Sequence, residues 1–457
     1  MVLFKPYPYQ FDAISFINSH KEGSALFADM GLGKTAIILT YLMMRKRDNP
    51  NFKTLIIAPK RVCDFVWPQE IEQWDHTKLM TYFRLNSKKD LNSGKLNSDI
   101  LIINTENIFP YIAALSKLCN CLIVDESTGF KNHNSKRFKA LKPLLKRFES
   151  RIILSGTPMP KCYLDLFSQY YIVDLGESLT EFITIYRKTF FDMELGGWGP
   201  TKYPKYILKP GATDVINEII GRKTLRIDKE NNLDMPELVY DNIIIGLTPK
   251  LQSVYDKLEK EMIIELQDKQ LIIDNASIKY IRCHQFANGV VYDDNKQDEF
   301  IHNLKIQALE ELIESLQGKP LFITYWYKSD LRALQKKFTS MESLGLSDKK
   351  DPSIIKRWNA GKIALLSGHP GSVGHGLNLQ FSSNHIAWFS LSSHYEKYEQ
   401  FNGRLARLGQ KEKSVFIHKI IVRNTVDERF ISREKYKHDN MQALFEYLER
   451  KHNAKIY

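Results

Sequence analysis

Cysteine is scarce in this chain: there are five, at positions 63, 119, 121, 162 and 283, with no C-x-x-C pair and no Cys or His pair at zinc spacing beside them. They read as reduced packing residues rather than a metal site, with Cys119 and Cys121 placed to share one side of a strand. Long apolar runs are missing too. None approaches the roughly 18 residues of a membrane span, and residues 1–10 lack the basic-then-apolar pattern of a secretory signal, so a cytosolic protein is expected. No internal repeat and no biased tract stands out, which argues against a solenoid or a disordered chain. Acidic residues are in deficit, 53 Asp and Glu against 65 Lys and Arg for a formal net charge of +12, and the cations are spread along the whole sequence. That balance favours a polyanionic partner such as nucleic acid, although net charge does not bear on fold. A hydrophobic content of 43% over 457 residues describes an ordered protein with more than one core.

What the chain does carry is concentrated at residues 28–35, Ala-Asp-Met-Gly-Leu-Gly-Lys-Thr. A short apolar run over 24–27 leads into this stretch and helical apolar spacing over 36–44 leaves it. Strand, tight glycine loop and helix are the layout of a phosphate-binding loop. Gly31 and Gly33 let the backbone curl around a polyphosphate, whose charge is met by the loop N–H groups and the helix N-terminus. Asp29, Met30, Gly31, Leu32, Gly33, Lys34 and Thr35 then form an ATP-binding loop in which Lys34 reaches the β- and γ-phosphates and the Thr35 hydroxyl binds Mg²⁺. The general pattern has glycine where this chain has Ala28, so the loop needs support from elsewhere in the sequence.

Short β-rich apolar runs at 54–59, 99–105, 120–126 and 151–155 alternate with longer mixed segments, and a second series follows at 320–325, 363–367, 385–390 and 415–422. Such alternation implies parallel sheets covered on both faces, and two series imply two α/β lobes. The expected bounds are 1–235 for an ATP-binding lobe with a small insertion near 160–220, 236–300 for a helical linker, and 301–457 for a second lobe. Within a turn-rich patch at 196–211, Trp198, Tyr203 and Tyr206 read as a packed surface excursion rather than a nucleic-acid contact.

Asp125 and Glu126 end one of the apolar runs, which puts two adjacent carboxylates at the carboxyl edge of a buried strand, the edge that also carries the phosphate loop. Asp125 could hold Mg²⁺ while Glu126 orients and deprotonates an attacking water. Ser155, Gly156 and Thr157 close the next strand and could link the nucleotide site to whatever else is bound. In the second series a glycine-rich stretch, 371–380, precedes Gln400, Arg404 and Arg407, whose spacing of four and three puts them on one face of a helix. Arginines so placed could stabilise charge on a transferred phosphoryl group.

In order along the chain stand Tyr9-Gln10, Asp29 to Thr35, Ile57-Ala-Pro-Lys60 with Trp67 and Trp74, Asn104-Thr-Glu106, Asp125-Glu-Ser-Thr128 with Lys131-Asn132, Leu154 to Pro158, Leu321 to Tyr325, Gly374 to Leu379, and Gln400 to Gln410. Leu247 to Gln252 with Tyr255 is similar to the segment that joins the lobes in Snf2 proteins. Together these resemble a superfamily 2 helicase core of the Snf2-like branch over nearly the full length, and most resemble compact phage-encoded Snf2-like DNA helicases of the branch-migration type. The resemblance implies two RecA-like lobes with an ATP cleft between them. It implies Gln10 at the adenine, Gly376 among the ATP-binding residues, Lys34, Asp125 and Glu126 in hydrolysis, and Gln400, Arg404 and Arg407 completing the catalytic set. ATP and Mg²⁺ are the implied cofactors and DNA the implied partner, held through its backbone and largely independent of sequence. Candidate backbone contacts are Lys60, Arg61, Thr105 and Lys131 in the first lobe and His375 and Asn378 in the second; for Lys60, Arg61 and Lys131 an ordinary solvated side chain is the equal alternative. The implied activity is an ATP-dependent helicase or translocase that remodels branched or forked DNA by lobe closure, with an RNA helicase, or a duplex translocase that separates no strands, as rival readings. Thr128 stands where the family usually has His, and no chromatin-reading module accompanies the core. A monomer is the expected state.

Overall fold

The structure is a computed structural model that describes residues 3–29, 31–159, 162–196, 203–228, 235–265, 272–292, 297–344, 352–373, 377–391, 394–407 and 409–453. In chain order its strands are β1 Gly23–Ala28, β2 Thr54–Ala58, β3 Tyr82–Arg84, β4 Ile100–Asn104, β5 Cys121–Asp125, β6 Ser150–Ser155, β7 Phe191–Gly196, β8 Tyr203–Leu208 and β9 Thr224–Ile227. There follow β10 Glu237–Ile245, β11 Val290–Tyr292, β12 Asp298–Phe300, β13 Leu321–Thr324, β14 Glu342–Leu344, β15 Leu365–Gly368, β16 His385–Trp388 and β17 Ser414–Val422. The chain divides into two compact units, one of Met1–Asp192, Tyr206–Leu233 and Lys437–Tyr457, the other of Met193–Lys205 and Asp234–Tyr436. Among the described residues no helix is long and apolar enough to cross a membrane.

The first unit holds a seven-stranded sheet in the order β3-β4-β2-β5-β6-β1-β9, parallel at every pairing. Its central strands are buried along their whole length, as continuous Ile, Leu and Val runs require when helices cover both faces. The two-residue strand period sorts these side chains cleanly. Ala25, Phe27, Leu55, Ile57, Leu122 and Val124 join one core cluster, and Leu26, Ala28, Ile56, Ala58, Cys121 and Ile123 the other. The second cluster is closed by α1 Pro8–Ser19 and α2 Lys34–Asp48 through Ala13, Ile14, Ile17, Ile37 and Tyr41. Met441, Leu444, Phe445 and Leu448, spaced as one face of the C-terminal helix Val426–Asn453, pack into the first. Cys119 and Cys121 therefore do not share a side: Cys119 precedes β5 and packs into one cluster, Cys121 into the other.

The second unit holds a six-stranded parallel sheet in the order β10-β17-β16-β13-β15-β14. Here too alternate residues face two clusters, Phe322, Leu366, Ile386 and Trp388 in one and Leu321, Ile323, Leu365 and Ala387 in the other. The stretch 236–300, expected as a linker, opens with β10, which pairs with β17 from Glu237↔Ser414 to Ile245↔Val422. The helices Pro249–Glu265 and Ile272–Asn288 and the β11–β12 hairpin follow. The α/β class with two parallel sheets is thus present, one sheet to each unit.

His302 lies buried in the second unit, and burial pushes its imidazole down to about 4, with Lys305 acting in the same direction. Since the unfolded value is near 6.5, the unfolded chain takes up a proton first; the stability held by neutral His302 is complete above about pH 6.5 and is lost as pH falls towards 4. The slope is about 1.4 kcal/mol per pH unit at most. Urea denaturation at pH 7 and pH 5 should therefore find His302→Gln less acid-sensitive than the parent chain by about 1–2 kcal/mol. Identical pH dependence would contradict the assignment.

Candidate functional site

Three loops leave the carboxyl edge of the first sheet at one level. Phe27 of β1 stands opposite Ser155 of β6, and Leu154 of β6 opposite Asp125 of β5, so the loops that follow these strands emerge side by side. They are the glycine loop, the Ser-Gly-Thr turn and the Asp-Glu pair, at the edge where open parallel sheets bind ligands.

The glycine loop runs from Ala28 into α2, whose N-cap is Gly33. Gly31 and Gly33 have φ values of 90° and 71°, left-handed backbone that favours glycine. Gln10 lies close over Gly33: a Cβ there would lie 2.6 Å from Gln10 Nε2, so a larger residue would displace the end of that side chain. Gln10 itself is buried. Its Nε2 donates to the carbonyl of Leu32 at 3.3 Å and its Oε1 accepts from the Tyr7 amide, which ties α1 to the loop. The first N–H groups of α2, starting at Lys34 and Thr35, have no intrahelical acceptor by helix geometry and could bind an anion. Lys34 Nζ donates to the carbonyls of Ala28 at 2.6 Å and Asp29 at 3.1 Å. Burial lowers its pKa, and the negative charges of Glu126, Asp125 and Asp29 oppose that shift. Met30 lies outside the described residues, as do His375 and Gly376.

Asp125 ends β5, buried, with both oxygens engaged: Oδ2 accepts the indole N–H of Trp67 at 3.1 Å and Oδ1 the amide of Glu126 at 3.0 Å. Burial raises its pKa, opposed by Lys34 and the Trp67 bond. Trp67 is wholly buried at the start of α3 Trp67–Gln73. Glu126 adopts φ 51°, uncommon without glycine, and this left-handed step turns the chain sharply off the strand. Just beyond, Ser127 Oγ donates to Gln169 Oε1 at 2.6 Å, and Gln169 Nε2 donates to the Pro158 carbonyl at 2.7 Å. The buried amide of Gln169 thereby joins the Asp-Glu loop to the Ser-Gly-Thr-Pro loop, where the Thr157 amide donates to Ser155 Oγ at 3.1 Å. Neither Gln169 nor Trp67's bond was legible in the motif pattern. Loop N–H groups, a cation, the Thr35 hydroxyl and a pair of carboxylates together fit a magnesium-bound nucleoside triphosphate, with Lys34 on phosphate and Thr35 and Asp125 towards the metal.

Of the residues expected to touch nucleic acid, Lys60 is exposed and Lys131 half-buried, while Thr105 is buried with its amide on the Ala58 carbonyl. Arg61 is half-buried, burial lowers its pKa, and its Nη1 is buried without a hydrogen-bond partner. In the second unit the helix Tyr395–Asn402 stops before the arginines, so Gln400, Arg404 and Arg407 do not share a helix face. The helix ends at Asn402: Gly403 caps it, donating its amide to the Glu399 carbonyl, and residues 403–407 continue as turns and bends. Gln400 is buried, its Nε2 3.5 Å from Glu396 Oε1. The two arginines are nonetheless brought together by their targets. Arg404 Nη1 and Arg407 Nη1 both donate to the Leu377 carbonyl, at 3.4 and 3.3 Å, and Arg407 Nη1 also donates to Asn378 Oδ1 at 2.7 Å.

A phosphate loop, a carboxylate pair and a linking hydroxyl turn on one parallel edge define a phosphate-loop α/β domain. Residues 9–287 match the SNF2-related domain family, and the chain belongs to that family. It is 32% identical to putative protein p41 of Acyrthosiphon pisum secondary endosymbiont phage 1, over 99% of this chain and 100% of the relative. It is 25% identical to the putative ATP-dependent helicase/translocase YwqA of Bacillus subtilis over 93% of this chain and 47% of that one, and 24% identical to the human DNA repair and recombination protein RAD54-like over 94% and 65%. The chain thus spans the whole of the phage relative and less than two thirds of the other two. Among solved structures it is similar to the Sulfolobus solfataricus SWI2/SNF2 ATPase core in complex with dsDNA, at 21% identity and a TM-score of 0.43, over 98% of this chain and 97% of that one.

Trp67→Phe keeps an aromatic ring but removes the donor to Asp125 and part of the buried ring volume, so lost packing adds to the cost of the lost bond. Loss of a hydrogen bond to a buried carboxylate should cost about 1.5–3 kcal/mol in chemical denaturation at pH 7; an unchanged midpoint would mean the bond does not form.

Proposed function

We propose that this chain is a DNA-dependent ATPase that works as a helicase or translocase on branched or forked DNA. The observation that carries the reading is the shared carboxyl edge of the first unit, where Lys34 of the glycine loop lies within the electrostatic reach of Glu126 and Asp125, in a chain of the SNF2-related family. Bound Mg²⁺–ATP supplies the phosphoanhydride to be cleaved and a metal that screens its charge. The chain's own groups do the rest. The loop amides and Lys34 bind and orient the phosphates, Thr35 and Asp125 face the metal, and Glu126 takes the proton of the attacking water. Gln10, lodged against Gly33, is suited to carry nucleotide occupancy into α1.

In the reacting state Arg404 and Arg407 stabilise charge on the transferred phosphoryl group, and lobe closure around the nucleotide and reopening after hydrolysis move the chain along DNA. Exposed Lys60, half-buried Arg61 and Lys131, and Asn378 hold the DNA backbone without reading sequence, so binding weakens steeply with salt. The relatives named as a putative ATP-dependent helicase/translocase and as a DNA repair and recombination protein support the reading of a DNA motor.

ATP turnover measured with single-stranded, duplex, forked and four-way DNA, and with RNA, tests the reading. DNA should stimulate hydrolysis, most with branched forms; stimulation by RNA alone would overturn it. Lys34→Ala should abolish turnover, and Glu126→Gln should retain nucleotide while hydrolysing about 10²–10⁴-fold more slowly. Full turnover by Glu126→Gln would remove its assignment as base.

A further inference from the structure

β9 places one charged side chain where its neighbours are apolar. Leu225 and Ile227 join the cluster of α1 and α2, so Arg226 between them faces the opposite side of the sheet. It is buried, 6% exposed, beneath the terminal part of the C-terminal helix, and its guanidinium carbon lies 3.7 Å from the centroid of the Phe445 ring. From there Nη2 pairs with Asp29 Oδ1 at 2.7 Å, and Nη1 donates to the Phe27 carbonyl at 3.4 Å. Asp29 opens the glycine loop. Its amide donates to the Ile227 carbonyl at 3.1 Å, and its own carbonyl accepts the Lys34 ammonium. A single chain of contacts therefore runs from Phe445 through Arg226 and Asp29 to the lysine of the loop.

We propose that Arg226 is a positioning residue for the phosphate loop, and that the terminal helical segment, through Phe445, holds Arg226 in its loop-gripping geometry and so sets nucleotide affinity. This rests on the reading of the loop as a nucleotide site. The physical case has two parts. An arginine fork can hold a carboxylate and a carbonyl together, which the point charge of lysine cannot do with the same geometry. The aromatic face over the guanidinium shuts out water that would compete for its N–H groups, and a cation over a ring in a desolvated setting strengthens the attraction. With the fork fixed, Asp29 is fixed, and with Asp29 the carbonyl that holds Lys34. Met441 lies on the same helix face and in the same core cluster, but it is not part of this chain of contacts, so it separates loop positioning from general packing.

The test is equilibrium binding of a fluorescent ATP analogue with Mg²⁺ to the full chain and to three variants, with thermal unfolding run in parallel. Phe445→Leu, which keeps apolar volume and loses the aromatic face, should weaken binding about 3- to 10-fold at nearly the parent melting temperature. Arg226→Lys should weaken it by on the order of tenfold. Met441→Ala should lower the melting temperature and leave affinity unchanged. The proposal is overturned if Phe445→Leu and Arg226→Lys bind as tightly as the parent, or if Met441→Ala loses as much affinity as Phe445→Leu. Failure of the parent chain itself to bind the analogue would instead overturn the nucleotide reading on which the proposal stands.

Discussion

A lysine set beside three carboxylates at a sheet edge is the constraint on which the first unit depends. Burial alone would push Lys34 towards its neutral form, and a neutral amine could not hold a polyphosphate. Glu126, Asp125 and Asp29 oppose that shift, and the carbonyls of Ala28 and Asp29 hold the side chain in line. In the proposed reaction the same carboxylates serve other ends, Asp125 towards a metal and Glu126 towards water. A parallel sheet makes this sharing possible because its strands deliver all their loops to one edge, and β6, between β1 and β5, sets the spacing of the two charged loops.

Around that edge, side chains from distant stretches fix the charged groups. Trp67 holds one oxygen of Asp125, Gln169 ties the loop after β5 to the loop after β6, Gln10 lies against Gly33, and Arg226 grips Asp29. Few of these contacts are to solvent-exposed groups, so the geometry is set before any ligand arrives, as electrostatic catalysis requires. The second unit shows the same economy: one carbonyl, that of Leu377, gathers two arginines that no helix aligns.

Much of this was legible in the sequence, for reasons that can be stated. Buried parallel strands read as continuous apolar runs, so β2, β4, β5, β6, β13, β15, β16 and β17 fell where the runs did. The glycine loop and the Asp-Glu pair were legible because backbone conformation and charge placement restrict residue type. What escaped has equally definite causes. β9 carries a buried arginine and β10 the polar Asp241-Asn242, so neither looks apolar enough to be a strand. The helix expected under Gln400, Arg404 and Arg407 ends at Asn402 and is capped by Gly403, a boundary that three-and-four spacing alone does not reveal. Contacts such as Arg226 with Phe445 join segments far apart in the chain, and no local pattern encodes them.

The central claim of the proposed function is that two sets of groups, carboxylates and loop of the first unit and arginines of the second, serve one hydrolytic step. Single-turnover ATP hydrolysis in the presence of DNA, with nucleotide binding measured on the same samples, tests it most directly. The account predicts that Arg404→Ala and Arg407→Ala retain bound nucleotide while the hydrolysis rate falls by on the order of 10³ or more. Parent-like hydrolysis by both variants would contradict it.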